Sequence, residues 1–150
     1  MNKEALKELT GKCLRCIEEW KKENHNQPLD IEWGDYVNHC YQYGGMEIKD
    51  LYDVVFDDEE EQQNELNNLE RRLLIQNVGQ EKGERMYFGF RIAELRRQHE
   101  MTQQQLAQAV GISREYLVRI ESGKYSVGID ILSRIAKAFN KTIDIQENAF

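Results

Sequence analysis

The sequence predicts a mainly α-helical chain in two parts, and three observations predict it. Apolar residues recur at three- and four-residue steps near the N-terminus. From Phe90 onward, helix-capping and turn residues alternate with short apolar stripes at close intervals. The charge is divided: residues 1–83 carry ten basic and nineteen acidic side chains, whereas residues 84–142 carry ten basic and six acidic.

Residues 3–23 read as an amphipathic helix, with Leu6, Leu9, Cys13, Cys16, Ile17 and Trp20 on one face and Lys and Glu between them. Asn24 to Pro28 ends it, because a proline pushes the residue before it, here Gln27, out of helical geometry. Asp35 to Tyr43 forms a short helix closed by Gly44-Gly45. Ile48 to Phe56 sets Ile48, Leu51, Tyr52, Val55 and Phe56 on a helical stripe, with a strand as the alternative. The acidic run Asp57 to Glu61 suits the positive end of a helix dipole; it reads as a solvated run rather than an ion site. Leu66, Leu69, Leu73 and Gln76 follow heptad-like spacing, which packs leucines in a local core or pairs two helices in a dimer. Asn77 to Gly83, with two glycines and mixed charge, reads as a linker. The segment 1–80 is thus a helical N-terminal region whose role is left open between dimerisation, sensing and partner binding.

Several function classes find no support. No stretch is long and apolar enough to span a bilayer. The N-terminus lacks the apolar core and small-residue cleavage site of a secretory signal, so a cytoplasmic location is expected. The chain has three cysteines, which do not suggest a disulfide framework in that compartment. Cys13-x-x-Cys16 is a metal or redox spacing that His39-Cys40 would complete as a zinc site. Both cysteines lie on the apolar stripe of the first helix, however, so packed thiols are the expected reading and no metal site is assigned. His25, His39 and His99 do not converge with a nucleophile, and no phosphate-binding glycine loop is present. Neither an enzyme nor a cofactor is expected.

The region 84–146 is the informative one. Ile92, Leu95 and Arg96 lie on the first helix of this region, which ends near Glu100. Thr102 N-caps a second helix, Gln103 to Val110, and Gln105 three residues on completes a capping box. Leu106, Ala107 and Val110 face inward. Gly111 supplies the positive φ of a tight helix-ending turn. Ser113 caps a third helix, Arg114 to Glu121, with Leu117 and Ile120 inward. A helix, a glycine turn and a second helix cross steeply. That arrangement lays the first across a phosphate backbone and offers the N-terminal side chains of the second to the major groove of double-stranded DNA. Ser113, Arg114, Glu115, Val118 and Arg119 are the groove-facing candidates, since Arg pairs with guanine and Glu accepts from the cytosine amine. Gln103 reaches a phosphate through its amide, and Ser122, Lys124 and Tyr125 are placed for backbone contacts. One short recognition helix touches few bases, so a homodimer on two half-sites is expected.

Five segments in order carry a resemblance: Arg91-Ile92-Ala93-Glu94-Leu95-Arg96, Met101-Thr102-Gln103-Gln104-Gln105-Leu106-Ala107, Val110-Gly111-Ile112-Ser113, Ile120-Glu121-Ser122-Gly123-Lys124, and Leu132 with Ile135-Ala136-Lys137-Ala138-Phe139. The segment resembles the lambda-repressor/Cro-like helix-turn-helix family, also called the XRE family. The resemblance implies a five-element fold with four firm helices. It also implies a partly buried Arg96–Glu121 salt bridge. Val127 stands where proline is common in that family, and Gly128 where a Ser N-cap is common, which weakens the start of the fourth helix. After it, Thr142-Ile143-Asp144-Ile145 alternates like a short strand near the C-terminus, with Met86-Tyr87-Phe88 as its candidate partner; an extended tail is the alternative.

Three functions follow as expectations. The first is a sequence-specific transcriptional regulator acting as a dimer. The second is a DNA-binding antitoxin whose N-terminal region binds its toxin. The third is an interaction module that no longer reads DNA, against which the outward Arg114 and Arg119 stand.

Overall fold

The computed structural model describes residues 3–45 and 58–145. Within them the chain forms α1 (Lys3–Glu23), α2 (Tyr36–Gly44), α3 (Glu59–Val78), α4 (Gln80–Gln98), α5 (Gln103–Val110), α6 (Arg114–Glu121) and α7 (Ile129–Ala138). It divides into two compact units, one up to Gly83 and one from Glu84 to Glu147. No helix among the described residues is long and apolar enough to cross a membrane.

In the first unit α1, α2 and α3 pack pairwise. The stripe read from the sequence is buried except at Trp20, which is half-buried: Leu6, Leu9, Cys13, Cys16 and Ile17 of α1 meet Tyr36, Val37 and Cys40 of α2 and Leu69, Leu73 and Leu74 of α3. Each fully buried Leu or Ile contributes roughly 1.5–3 kcal/mol. All three cysteines are free, buried thiols. The Cys40 Sγ donates to the Cys13 carbonyl at 3.4 Å, and among the described residues no cluster of His, Cys, Asp and Glu could hold a metal ion. Leu69 and Leu73 of the heptad-like series serve this local core, while Gln76 is exposed.

Two buried polar side chains tie the unit together. Glu70 of α3 accepts the Tyr36 N–H at 3.2 Å and the Val37 N–H at 3.0 Å, so a side chain from a neighbouring helix caps α2. Asn77 accepts from Leu29 N at 2.7 Å and donates to Leu29 O at 2.9 Å. Burying either without such partners would be costly. Asp58 caps α3 through Glu60 N, as the acidic run suggested.

Two expectations need correcting. Asn77 to Gly83, at whose end the two units divide, is not an irregular loop. Its break is confined to Gly79, with φ 96°, because Asn77 is held in the core and α4 restarts at Gln80. The helix that carries Ile92, Leu95 and Arg96 runs from Gln80 to Gln98. Met86-Tyr87-Phe88 lies within that helix and pairs with no strand. Thr142–Ile145 carries no regular secondary structure, and there is no strand among the described residues. Period-two alternation over four residues lacks a ladder partner, and without one it forms no strand. The helix-or-strand expectation for Ile48 to Phe56 lies outside the described residues.

In the second unit α4 to α7 surround one core. Ile92, Leu106, Ala107, Val110, Leu117, Ile120, Ile135 and Phe139 are buried, with Leu95, Ile112, Tyr116 and Leu132 packed against them. Ala107 is fully buried, as its small size between crossing helices requires.

Candidate nucleic-acid interface

Local chemistry fixes both helices of the helix-turn-helix. The Thr102 side chain accepts from Gln105 N at 3.1 Å, and the Gln105 side chain accepts from Thr102 N at 2.8 Å. This is a complete capping box. α5 closes on Gly111 at φ 74°, with Ile112 N bonded to Ala107 O at 3.0 Å. That six-to-one bond is the mark of a Schellman ending. Ser113 then caps α6 by accepting from Tyr116 N at 3.1 Å. α6 ends in the same way, on Gly123 at φ 74° with Lys124 N on Arg119 O at 3.1 Å. Gly128 caps α7 without a side-chain hydrogen bond.

α6 therefore has two defined faces. Leu117, Ile120 and Glu121 are buried; Ser113, Arg114, Glu115 and Arg119 are exposed; Val118 is half-buried. Ser122, Lys124 and Tyr125 follow as an exposed turn.

Behind this face lies a polar network. Glu121 accepts from Arg96 Nε at 2.6 Å and Nη2 at 3.2 Å, the bidentate pair that the resemblance implied. Arg96 also donates to Met101 O at 2.9 Å, so it fixes the turn before α5. Gln103 donates to Glu121 Oε2 at 3.0 Å and accepts from Arg114 Nη2 at 3.4 Å. The Gln103 amide is thus a bridge from the buried ion pair to an exposed arginine of α6.

The remaining candidates are held at shorter range. Arg119 donates through Nη1 to Tyr125 Oη at 3.3 Å, and its guanidinium carbon lies 5.1 Å from the centre of the Tyr125 ring. Ser122 Oγ donates to Arg119 O at 3.0 Å.

Three supports of this face have no signal in the apolar periodicity. A Cβ on Gly89 of α4 would lie 2.5 Å from Ile120 O and 2.7 Å from Glu121 O, so α4 approaches the end of α6 at a distance only glycine permits. A Cβ on Gly123 would similarly meet Met86 at 2.8 Å. Arg134 of α7 donates to Val110 O at 2.9 Å and satisfies a free carbonyl at the end of α5. A sequence cue existed for Gly89, a lone glycine inside a helical pattern, but not for what it touches.

Comparison with known proteins agrees with this architecture. The model of the helix-turn-helix family matches residues 92–146. An uncharacterized HTH-type transcriptional regulator of Archaeoglobus fulgidus is 43% identical over 54 residues, which are 36% of this chain and 77% of that protein. One from Methanocaldococcus jannaschii is 39% identical over 46 residues, 31% of this chain and 70% of the relative. The antitoxin PezA of Streptococcus pneumoniae is 42% identical over 52 residues, 35% of this chain and 33% of the antitoxin. No solved structure is a significant match.

Proposed function

The chain belongs to the helix-turn-helix family of transcriptional regulators, and we propose that it binds double-stranded DNA sequence-specifically, with α6 in the major groove and as a homodimer in the cytoplasm. The observation that carries this reading is the exposed set Arg114, Glu115 and Arg119 on the face of α6 opposite Leu117 and Ile120. Arg presents two donors to the O6 and N7 acceptors of guanine, and Glu accepts from the cytosine amine. Gln103, Ser113 and Val118 border that face. Ser122 and Lys124 are assigned to the sugar-phosphate side, where contacts set register rather than sequence, and Tyr125 lies beside them. The protein acts by binding, with no catalytic step, cofactor or metal.

Residues 84–146 are the DNA-binding part in this reading, and residues 1–80 serve dimerisation, sensing or a protein partner. The charge division supports it: the excess of acidic residues before Glu84 repels a polyanion, and the modest basic excess after it attracts one. Non-specific affinity should then be weak and salt-sensitive.

Selection of bound sequences from random double-stranded DNA by the full chain tests this. A recurrent motif of two inverted half-sites, about 10 base pairs centre to centre, is expected. Recovery of unselected DNA at every salt concentration would remove the reading. A single half-site would remove the dimer.

The likeness to PezA over 52 residues favours a second reading, an antitoxin that binds a toxin through residues 1–80. Co-expression with the product of the adjacent gene separates the two. A stable complex and relief of that product's toxicity support the antitoxin, and an adjacent product without toxicity removes it.

A further inference from the structure

We propose that Tyr125 is a positioning residue for Arg119, holding its guanidinium in a base-reading orientation instead of contacting the DNA backbone itself. The inference rests on the DNA-reading role proposed for α6.

The turn that follows α6 is tied to Arg119 from both ends of that residue. Its carbonyl accepts from Lys124 N at 3.1 Å, Tyr125 N at 3.3 Å and Ser122 Oγ at 3.0 Å. Three donors on one carbonyl fix the path of the turn, which returns the Tyr125 ring to the Arg119 side chain. There the guanidinium carbon stands over the ring, 5.1 Å from its centre, and Nη1 donates to Oη at 3.3 Å. The ring does not float. Its centre lies 6.5 Å from that of Tyr116, tilted by 52°, and Tyr116 packs on the core of the unit. A contact path thus runs from the core through Tyr116 and Tyr125 to the arginine.

The chemistry suits presentation rather than sequestration. The electron-rich ring face attracts the cation without accepting its N–H groups. One Nη is spent on Oη, which leaves Nε–H and the other Nη for two acceptors on one base edge. An unrestrained exposed arginine would have to lose its side-chain freedom on binding, and a ring that restrains it beforehand removes part of that cost. Tyr125 is 47% exposed, so the experiment is chosen to distinguish positioning from a backbone contact. Arg114 provides the internal control, because its partner is Gln103 at 3.4 Å and not the tyrosine.

The test has one part in free protein and one on DNA. In the free full-length chain, the Arg119 Nε–H resonance is assigned by its loss in Arg119→Lys. It is expected to be displaced by the ring current of Tyr125, to keep that displacement in Tyr125→Phe and to lose it in Tyr125→Leu. An undisplaced resonance in the parent overturns the inference and leaves the DNA reading intact. On DNA, the sequence selected by the parent is varied at the base pair to which Arg119→Ala is indifferent. Tyr125→Leu is expected to lose about two- to five-fold of discrimination there, the factor of a partly exposed cation–π contact. Discrimination at the base pair of Arg114 and the salt slope should be unchanged, and Tyr125→Leu should add nothing in the Arg119→Ala background. Tyr125→Phe should retain most of the discrimination. An equal loss on all sequences identifies a backbone contact and overturns the positioning role, as does unchanged discrimination. If the parent selects no sequence, the DNA reading fails and this inference with it. Matching thermal midpoints of parent and variants show that the fold is retained.

Discussion

Glu121 accepts three donors, two from Arg96 and one from Gln103, with its side chain only 6% exposed. Removing it leaves a guanidinium 11% exposed with no counter-charge. Glu121→Ala is therefore expected to destabilise the C-terminal unit by about 3–5 kcal/mol, the cost of breaking a buried pair from one side. The double variant Arg96→Met/Glu121→Leu should cost less, because neither charge is left alone; denaturant midpoints compare them. A single variant no worse than the double one would sink this account. Exposed side chains of α6 behave differently. Arg114→Ala and Arg119→Ala should each cost about 1–3 kcal/mol on the selected DNA sequence and relax preference at one base pair. Lys124→Ala should weaken all sequences alike and lower the salt slope by about one. Titrations at several salt concentrations distinguish the patterns, and arginine variants that bind like the parent would displace α6 from the groove.

Helix ends carry most of the local determination at the next scale. Thr102, Ser113, Gly111 and Gly123 each satisfy a terminal group, and each is a residue type suited to its position in the sequence alone. α4 shows the opposite case. Its seat on α6 depends on Gly89, where a methyl group would meet two backbone carbonyls within 2.7 Å. Gly89→Ala should raise helix propensity and yet destabilise the second unit by about 1–3 kcal/mol through overpacking. Thermal unfolding of a residue 84–147 fluorescence probe in the full chain measures it. A neutral or stabilising result would mean that α4 and α6 separate readily. The difference between Gly111 and Gly89 is instructive. A turn glycine is legible from its place between two helical stripes, whereas a close-approach glycine is defined by a segment thirty residues away.

Over the whole molecule, the two units differ in what a sequence reader could extract. The second presents its motif in register, so its helices, caps and core were legible. The first was legible as an apolar stripe on α1 and a short α2, but not as a packed unit, because the partners Glu70 and Asn77 lie far from Tyr36 and Leu29 in sequence. Glu70 also gives this unit a pH dependence. Burial raises its carboxyl to about 7 against the opposing effect of the Val37 and Tyr36 N–H donors, with Asp35 adding to the rise. A carboxyl that holds its proton more tightly when folded makes stability fall as pH rises from about 4.5 to about 7. The expected change is on the order of 3 kcal/mol across that window. His39, lowered by burial, opposes this on the acid side. The comparison with Glu70→Gln isolates the carboxyl, and chemical denaturation at pH 5 and pH 8 should show a flatter profile for the variant. An identical slope in parent and variant would exclude Glu70 as its source.

The sequence by itself determined the mainly helical class, the stripe that α1 buries, the caps and turns of the helix-turn-helix and the outward set on α6. Each of these depends on residues within a turn or two of one another, where spacing and residue type fix geometry directly. Only the tertiary structure decided that Asn77 to Gly83 is a one-residue break, that Met86 to Phe88 is helical, that Gln103 bridges Arg114 to Glu121, and that Tyr125 lies against Arg119. A polar side chain has many partners within its reach, and a glycine many reasons to be present. Which one holds depends on what long-range packing places a few ångströms away.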